Sequence, residues 1–410
     1  MIHRMIDGKR DAEDTIMANP VRTGLDVIAR DGLRLPGRGR AGLLCNNAVC
    51  DASLRGAPEI VLGLPGVKLA RVLSPQHGFA GEKQDNMVES GDGVHPGTGV
   101  PLVSLYGRVR EPEPGMLEGL DALLIDLPDV GTRVYTFLAT ALLCLRACAR
   151  AGLPVIILDR PNPIGGDAVE GPMLRPEFAS FVGLIPIPQR HGLSAGEYCR
   201  FGAQALGLDL DLSVVPCHGW QRNMLFPATG LPWVMPSPNL PTFEAALVYP
   251  GMVMLEGTNL SEGRGTTRPF ELWGAPWLDP ARIPAALRRG PGYLLREVAF
   301  QPTFHKYAGD VVRGFQLHPT DAAAFRPVAT AVALLAAVRR AHPDRFAWRD
   351  PPYEYEYDRL PIDLITGTDA VRLAVDEGAD AEAIAASWHA EEDAFRKARR
   401  PFLLYGAGPA

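Results

Sequence analysis

Between Val21 and Val215, short unbroken apolar runs alternate with amphipathic stretches. Val21–Leu33 reads as a helix and Ala41–Cys45 (AGLLC) as a buried strand. Leu69–Leu73, Ala122–Leu127 and Pro154–Asp159 read as further strands, and the strongly apolar Thr136–Ala151 as a helix between the last two. A strand around Gly183–Ile187, a helix from Ser194 and a strand at Leu212–Val215 continue the series. Apolar runs without polar alternation suit parallel strands covered on both faces. Strand alternating with helix predicts an α/β fold with a doubly wound, Rossmann-like parallel sheet. After the proline-rich stretch Phe226–Pro241 the pattern changes, with fewer strand–helix units and terminal helices at Ala322–His342, Asp369–Val375 and Ala381–Arg400. The expected organisation is therefore a disordered leader over 1–20, a Rossmann-like catalytic domain over 21–225 and a smaller α/β auxiliary domain over 226–410.

Composition narrows the function. A chain of 410 residues with 47% hydrophobic and 21% charged positions is that of a globular protein, long enough for two domains. With 41 basic against 47 acidic residues the net charge is −6, and no basic run is present to neutralise phosphates. Nucleic acid is not an expected partner. No apolar stretch is long enough to span a bilayer, and the N-terminal twenty residues carry charges throughout, so no membrane partner is expected and the cytoplasm is the expected location. Six cysteines without a C-x-x-C read as buried free thiols. The histidines show no H-E-x-x-H, so neither a metal site nor a cofactor is expected.

Two motifs mislead. Gly37-Arg-Gly39-Arg-Ala-Gly42 fits G-x-G-x-x-G but precedes a strand, whereas a dinucleotide fingerprint must follow one and open a helix. Gly192-Leu-Ser194-Ala-Gly196 fits a nucleophile elbow, yet Ser194-Ala-Gly-Glu197 is also a capping box for the helix that follows, and Pro186 and Pro188 interrupt the strand an elbow requires. A serine esterase or amidase using Ser194 stays as one competing reading. A non-catalytic sugar-binding protein is another.

The polar residues that end the predicted strands converge. Asn46 and Asn47 follow the first, Ser74-Pro-Gln76-His77-Gly-Phe79-Ala-Gly81-Glu82 the second, Asp126-Leu-Pro-Asp129-Val-Gly-Thr-Arg133-Val-Tyr135 the third, and Asp159-Arg160-Pro-Asn162 the fourth. In doubly wound sheets ligands bind beyond the carboxyl ends of the strands. Glu170, Asn239 and the loop Glu256-Gly-Thr-Asn259-Leu-Ser-Glu262-Gly-Arg264 add carboxylates, an amide and an arginine among small residues.

SPQHGFAGE, DLPDVGTRVYT, DRPNPIGG…VEGP, PSPNLPT and EGTNLSEGRGTTRPFE, in that order, closely resemble the NamZ (YbbC-like) family of bacterial exo-β-N-acetylmuramidases, from about Gly24 to Tyr405. The resemblance implies a Rossmann-like N-terminal domain, an auxiliary C-terminal domain and a cleft between them. It further implies release of terminal N-acetylmuramic acid from the non-reducing ends of peptidoglycan fragments, which are then the expected partner. Glycoside hydrolysis usually takes two carboxyl groups, one of them protonated. Glu82 matches the glutamate of the family's HGFxGE-type motif and is the first choice as general acid, because Gly81 and Phe79 are expected to leave it poorly solvated. Glu262, Glu170 and Asp126 are candidates for the partner role, in that order, and retention, inversion and assistance by the 2-acetamido group all stay open. Arg133, Arg160 and Arg264 are candidates to hold the lactyl carboxylate. Asn46, His77, Tyr135, Asn162, Asn239 and Asn259 are candidates to bind the rest of the sugar.

Overall fold

The computed structural model describes residues 21–406, so the leader expected over 1–20 lies outside the described residues. The first unit opens with β1 (Arg40–Leu44), β2 (Lys68–Ser74), β3 (Gly93–Val94), β4 (Pro101–Ser104), β5 (Ala122–Ile125) and β6 (Val155–Leu158). A separate antiparallel ribbon, β7 (Glu170–Met173) with β8 (Pro188–Arg190), precedes β9 (Leu212–Val215). Seven of these strands form one sheet in the order β3-β4-β2-β1-β5-β6-β9. Every pair in it is parallel except β3 with β4. The chain moves from β1 to β2 on one side and later returns to β5 on the other. The strand order therefore reverses at β1, and a crevice opens beyond the carboxyl ends of β1 and β5.

The predicted helix Thr136–Ala151 forms over those residues and is buried almost all round. It ends at Gly152, whose left-handed φ of 61° a side chain would resist. Its first residues meet the crevice, so core packing of the helix body fixes the position of a site residue.

The second unit is built on β10 (Leu272–Ala275), β11 (Arg289–Gly290), β12 (Tyr293–Phe300) and β13 (Val312–Pro319), an antiparallel sheet in the order β10-β13-β12-β11. A Cβ on Gly314 would lie 1.9 Å from the Trp273 carbonyl oxygen, so only glycine lets β10 and β13 approach this closely. The helices Phe243–Met252 and Pro327–Ala341 pack beside this sheet, and one apolar core runs from Leu44 and Phe137 in the first unit to Trp273 and Phe315 in the second. The chain finally returns to the first unit, where Tyr405 Oη donates to Asp159 Oδ2 at 2.5 Å.

Several elements differ from the sequence reading. The strand expected around Gly183–Ile187 forms instead at Pro188–Arg190, on the ribbon rather than in the main sheet. The predicted helix Ala381–Arg400 divides into Ala381–Ala386 and His389–Ala398. The hairpin β12–β13 differs from the sequence reading because its residues mix buried, half-buried and exposed positions instead of forming an apolar run. All six cysteines are free, and only Cys50 is less than fully buried.

Candidate active site

Between the carboxyl edge of the main sheet and the second unit lies a polar cleft of about 450 Å³. Gln76, His77 and Asn86 reach it from the loop after β2, and Tyr135 and Thr136 from the head of the helix Thr136–Ala151. Ser237 and Asn239 come from the proline-rich segment, and Tyr249, Glu256, Arg264, Tyr353 and Glu354 from the second unit.

Two buried carboxyls line this cleft, Glu256 and Glu354, and their surroundings differ. Glu354 accepts from Gln76 Nε2 at 2.9 Å and from Tyr106 Oη at 2.6 Å. Both donors are fixed in turn: Thr136 Oγ1 donates to Gln76 Oε1 at 2.5 Å, and the Met87 backbone N–H to Tyr106 Oη at 3.0 Å. Burial pushes the Glu354 carboxyl up, against the pull of Tyr106 and Gln76, and the Glu256 charge adds to the rise. Glu354 and Tyr355 both hold positive φ, 47° and 66°, a conformation that costs about 1–3 kcal/mol per residue and persists where the surroundings enforce it.

Glu256 is paired with a cation. Its Oε1 accepts from Arg264 Nη2 at 2.6 Å and Nε at 3.2 Å, and its Oε2 from Tyr353 Oη at 2.8 Å. Burial lowers the Arg264 guanidinium, but Glu256 and Glu262 more than reverse this and keep it cationic. Arg264 is 8% exposed and its Nη1 has no partner among the described residues. Arg264 thus lines the cleft as a charged side chain with one buried donor left unpartnered among the described residues.

His77 contributes an acceptor. Its Nδ1–H donates to the Lys83 carbonyl at 2.7 Å, leaving Nε2 with the lone pair. Burial holds the ring down, to about 4, so it is neutral at pH 7. A cleft with buried carboxyls, a spare guanidinium donor and several hydroxyls and amides can hold an anionic, hydroxyl-rich ligand and exchange protons with it.

Comparison with known proteins agrees in both halves of the chain. The family description "Exo-beta-N-acetylmuramidase NamZ, N-terminal" matches residues 41–244, and its C-terminal counterpart matches residues 247–405. The chain belongs to the NamZ family. It is 38% identical over 387 residues to the peptidoglycan β-N-acetylmuramidase NamZ of Bacillus subtilis, covering 94% of this chain and 91% of that one. Two solved structures of DUF1343 family proteins from Bacteroides fragilis share the fold. One superposes with a TM-score of 0.83 at 29% identity, covering 94% of this chain and 99% of the other; the second has a TM-score of 0.72 at 26% identity, covering 95% and 99%.

The cleft of this NamZ family member gathers His77, Tyr135, Asn239 and Arg264 from the expected residues. Asn239 also donates to the Gln84 carbonyl at 2.7 Å and so braces the loop that carries His77. Glu82 sits on the same loop, but its side chain is 51% exposed. The desolvation expected from Gly81 and Phe79 is therefore not met. The carboxylate folds back over Gly78, where any Cβ would come within 2.6 Å of it.

The other expected residues are engaged elsewhere. Arg133 is 1% exposed and donates to the carbonyls of Pro172, Ile187 and Ile365 and to Gln189 Oε1. It joins the ribbon to the second unit and has no room for a ligand carboxylate. Arg160 pairs with Asp126 at 2.5 Å, beside a separate cavity of about 580 Å³ that also holds Phe226 and Trp233. Asp126 is wholly buried in that ion pair. Burial pushes the Glu262 carboxyl up, but Lys306 at 2.9 Å, His305 at 3.1 Å and Arg264 together hold it well below the usual carboxylate range. Glu170 accepts from Ala329 N at 2.8 Å, at the start of the helix Pro327–Ala341.

Among the amides, Asn46 donates to the Pro236 carbonyl, Asn162 to that of Leu193 and Asn259 to that of Arg345. All three tie loop backbone together, and none lines the cleft. Ser194 is fully buried; its Oγ accepts from Glu197 N at 3.2 Å and donates to Asp159 Oδ2 at 2.7 Å, while Glu197 caps it reciprocally. It is a helix cap, and the esterase reading falls with it.

Sequence reasoning missed Glu354, Tyr106 and Tyr353 and did not select Glu256 from its loop. The run Pro351-Pro-Tyr353-Glu354-Tyr355-Glu356-Tyr357 interleaves phenols and carboxylates behind two prolines, a signal for a rigid polar loop that was there to be read.

Proposed function

We propose that this chain is an exo-acting β-N-acetylmuramidase that removes the terminal non-reducing N-acetylmuramic acid from peptidoglycan fragments. The observation that carries the reading is Arg264 Nη1, an unpartnered donor on a buried guanidinium in a cleft that also holds two buried carboxyls. The lactyl ether that distinguishes muramic acid from N-acetylglucosamine ends in a carboxylate, and a buried guanidinium is the side chain best suited to hold one. The activity named for the Bacillus subtilis relative supports the same reading.

Within it, Glu82 supplies the carboxyl carried by the family motif. Half of its side chain lies in solvent, so the sugar itself must cover it when bound. His77, Asn86 and Asn239 take the ring hydroxyls and the acetamido group. The proposed location is the cytoplasm, where fragments of the wall would be recycled. Among the described residues no helix is long and apolar enough to cross a membrane.

The test is incubation with the 4-nitrophenyl β-glycosides of N-acetylmuramic acid and N-acetylglucosamine. Release from the first alone supports the proposal. Release from neither, with binding retained, makes the protein a sugar-binding module instead.

A further inference from the structure

We propose that Glu354 is a catalytic carboxyl of this cleft, the one that delivers a proton to the glycosidic oxygen. The inference rests on the glycosidase reading above and names a residue that reading leaves open. Of the carboxyls expected from the sequence, Asp126 and Glu262 are bound by cations, Glu170 caps a helix, and Glu82 is half in solvent. Glu256 lines the cleft but is held by Arg264.

Glu354 differs from all five. It lines the cleft, it is 8% exposed, and each of its oxygens receives one hydrogen bond from a neutral donor, Gln76 or Tyr106. A carboxyl has four lone-pair sites, so each oxygen keeps a free position for a proton. An enclosed carboxyl held by neutral donors keeps its proton more readily than one facing a guanidinium, which is the property a general acid needs near neutrality.

The groups that face it are few. Tyr106 and Arg110 approach from the first unit, Glu256 and Tyr249 from the second, and Tyr353 and Tyr355 flank it in the chain. Glu256 opposes ionisation of Glu354. Arg110 favours it, but its guanidinium stacks on the rings of Tyr106 and Tyr355, 4.1 Å and 4.3 Å from their centroids. The positive φ of Glu354 aims a residue of the second unit at two donors of the first, so the loop backbone and both donors set the carboxyl's position together.

In the step, a proton leaves a Glu354 oxygen for the glycosidic oxygen as that oxygen's bond to the anomeric carbon breaks, and the electron pair departs with the leaving sugar. A water oxygen then bonds to the anomeric carbon and its proton passes to a carboxylate, for which Glu82 is the proposed partner. Water is the sole co-reactant.

The experiment compares full-length wild type, Glu354→Gln and Tyr106→Phe across pH, on a MurNAc-terminated disaccharide and on 4-nitrophenyl β-MurNAc. Glu354→Gln is expected to lose about 10²–10⁴-fold in kcat on the disaccharide and far less on the nitrophenyl glycoside, whose leaving group needs no proton. It should also lose the alkaline limb of the pH profile. Tyr106→Phe removes a hydrogen bond that favours the ionised carboxyl, so it should keep that limb and move it to higher pH. Equal losses on both substrates, or an alkaline limb that survives in Glu354→Gln, would overturn the proposal. Should Glu354→Gln fail to fold by circular dichroism, an unmoved limb in Tyr106→Phe overturns it and a moved one supports it. A wild type that releases no muramic acid defeats the glycosidase reading itself and takes this inference with it.

Discussion

Tyr106 and Glu354 stand 248 residues apart in the chain, and the phenol of one donates to the carboxyl of the other at 2.6 Å. The bond crosses from the first unit to the second, so the wall of the cleft depends on how the two pack. Arg133 supports the same packing by reaching from the loop after β5 to the Ile365 carbonyl.

Glu82→Gln keeps the fold, because half of the side chain is in water and its ion pair among the described residues, with Lys83 at 3.9 Å, is loose. Turnover of a MurNAc-terminated disaccharide should fall by about 10²–10⁴-fold, the scale of a lost general acid or base. Steady-state kinetics check it, and a variant within twofold of wild type removes Glu82 from the reaction.

Arg264 and Arg133 should respond in opposite ways. Arg264→Lys keeps a charge beside Glu256 but loses the planar fork, and should cost about 1.5–3 kcal/mol in binding a carboxylate-bearing sugar, less for its neutral analogue. Arg133→Ala leaves buried carbonyls without donors and should destabilise the fold by roughly 3 kcal/mol or more, with no preference between the sugars. Inhibition constants for muramic acid and its lactyl amide, beside thermal melts, distinguish the two.

Ser194→Ala should retain full activity and lose about 0.5–2 kcal/mol of stability as the helix loses its cap. Denaturant unfolding and a rate assay on the same preparation test this. A large fall in rate without a fall in stability would restore Ser194 as a nucleophile.

Glu170 makes stability depend on pH. Burial pushes its carboxyl up to about 7, from 4.5 in the unfolded chain. Between these values the folded state holds a proton that the unfolded state has released, so stability falls as pH rises, by on the order of 3 kcal/mol from this residue. Below pH 4.5 both states are protonated and the penalty is absent. Glu170→Gln, which can still accept from Ala329 N, should therefore melt like wild type at pH 4 and higher than wild type at pH 8. Equal melting shifts at both values would contradict the assignment.

What the sequence revealed follows from burial. AGLLC, ALLIDL and PVIILD announce themselves because parallel strands are covered on both faces, and Thr136–Ala151 because nearly every residue is in the core. β12 was hidden because only its first residues reach the core and the rest are exposed or half-buried. At the site, residues at strand ends were legible since topology places them, and His77 and Tyr135 came to the cleft. Residue type alone could not tell Arg133, whose Nη1 and Nη2 are held by four buried acceptors away from the cleft, from Arg264, which lines the cleft. Glu354 was illegible for another reason. It meets Gln76 across 278 residues, from a loop whose alternating tyrosines and glutamates carry no periodicity that points to a partner.

Exo-acting muramidase activity is tested by the identity of the products, read by mass spectrometry, from two matched oligosaccharides that differ only in whether muramic acid or N-acetylglucosamine occupies the non-reducing end. Free N-acetylmuramic acid from the first and no cleavage of the second is the expected result. Release of N-acetylglucosamine from the second, or cleavage at an internal muramic acid, would contradict it.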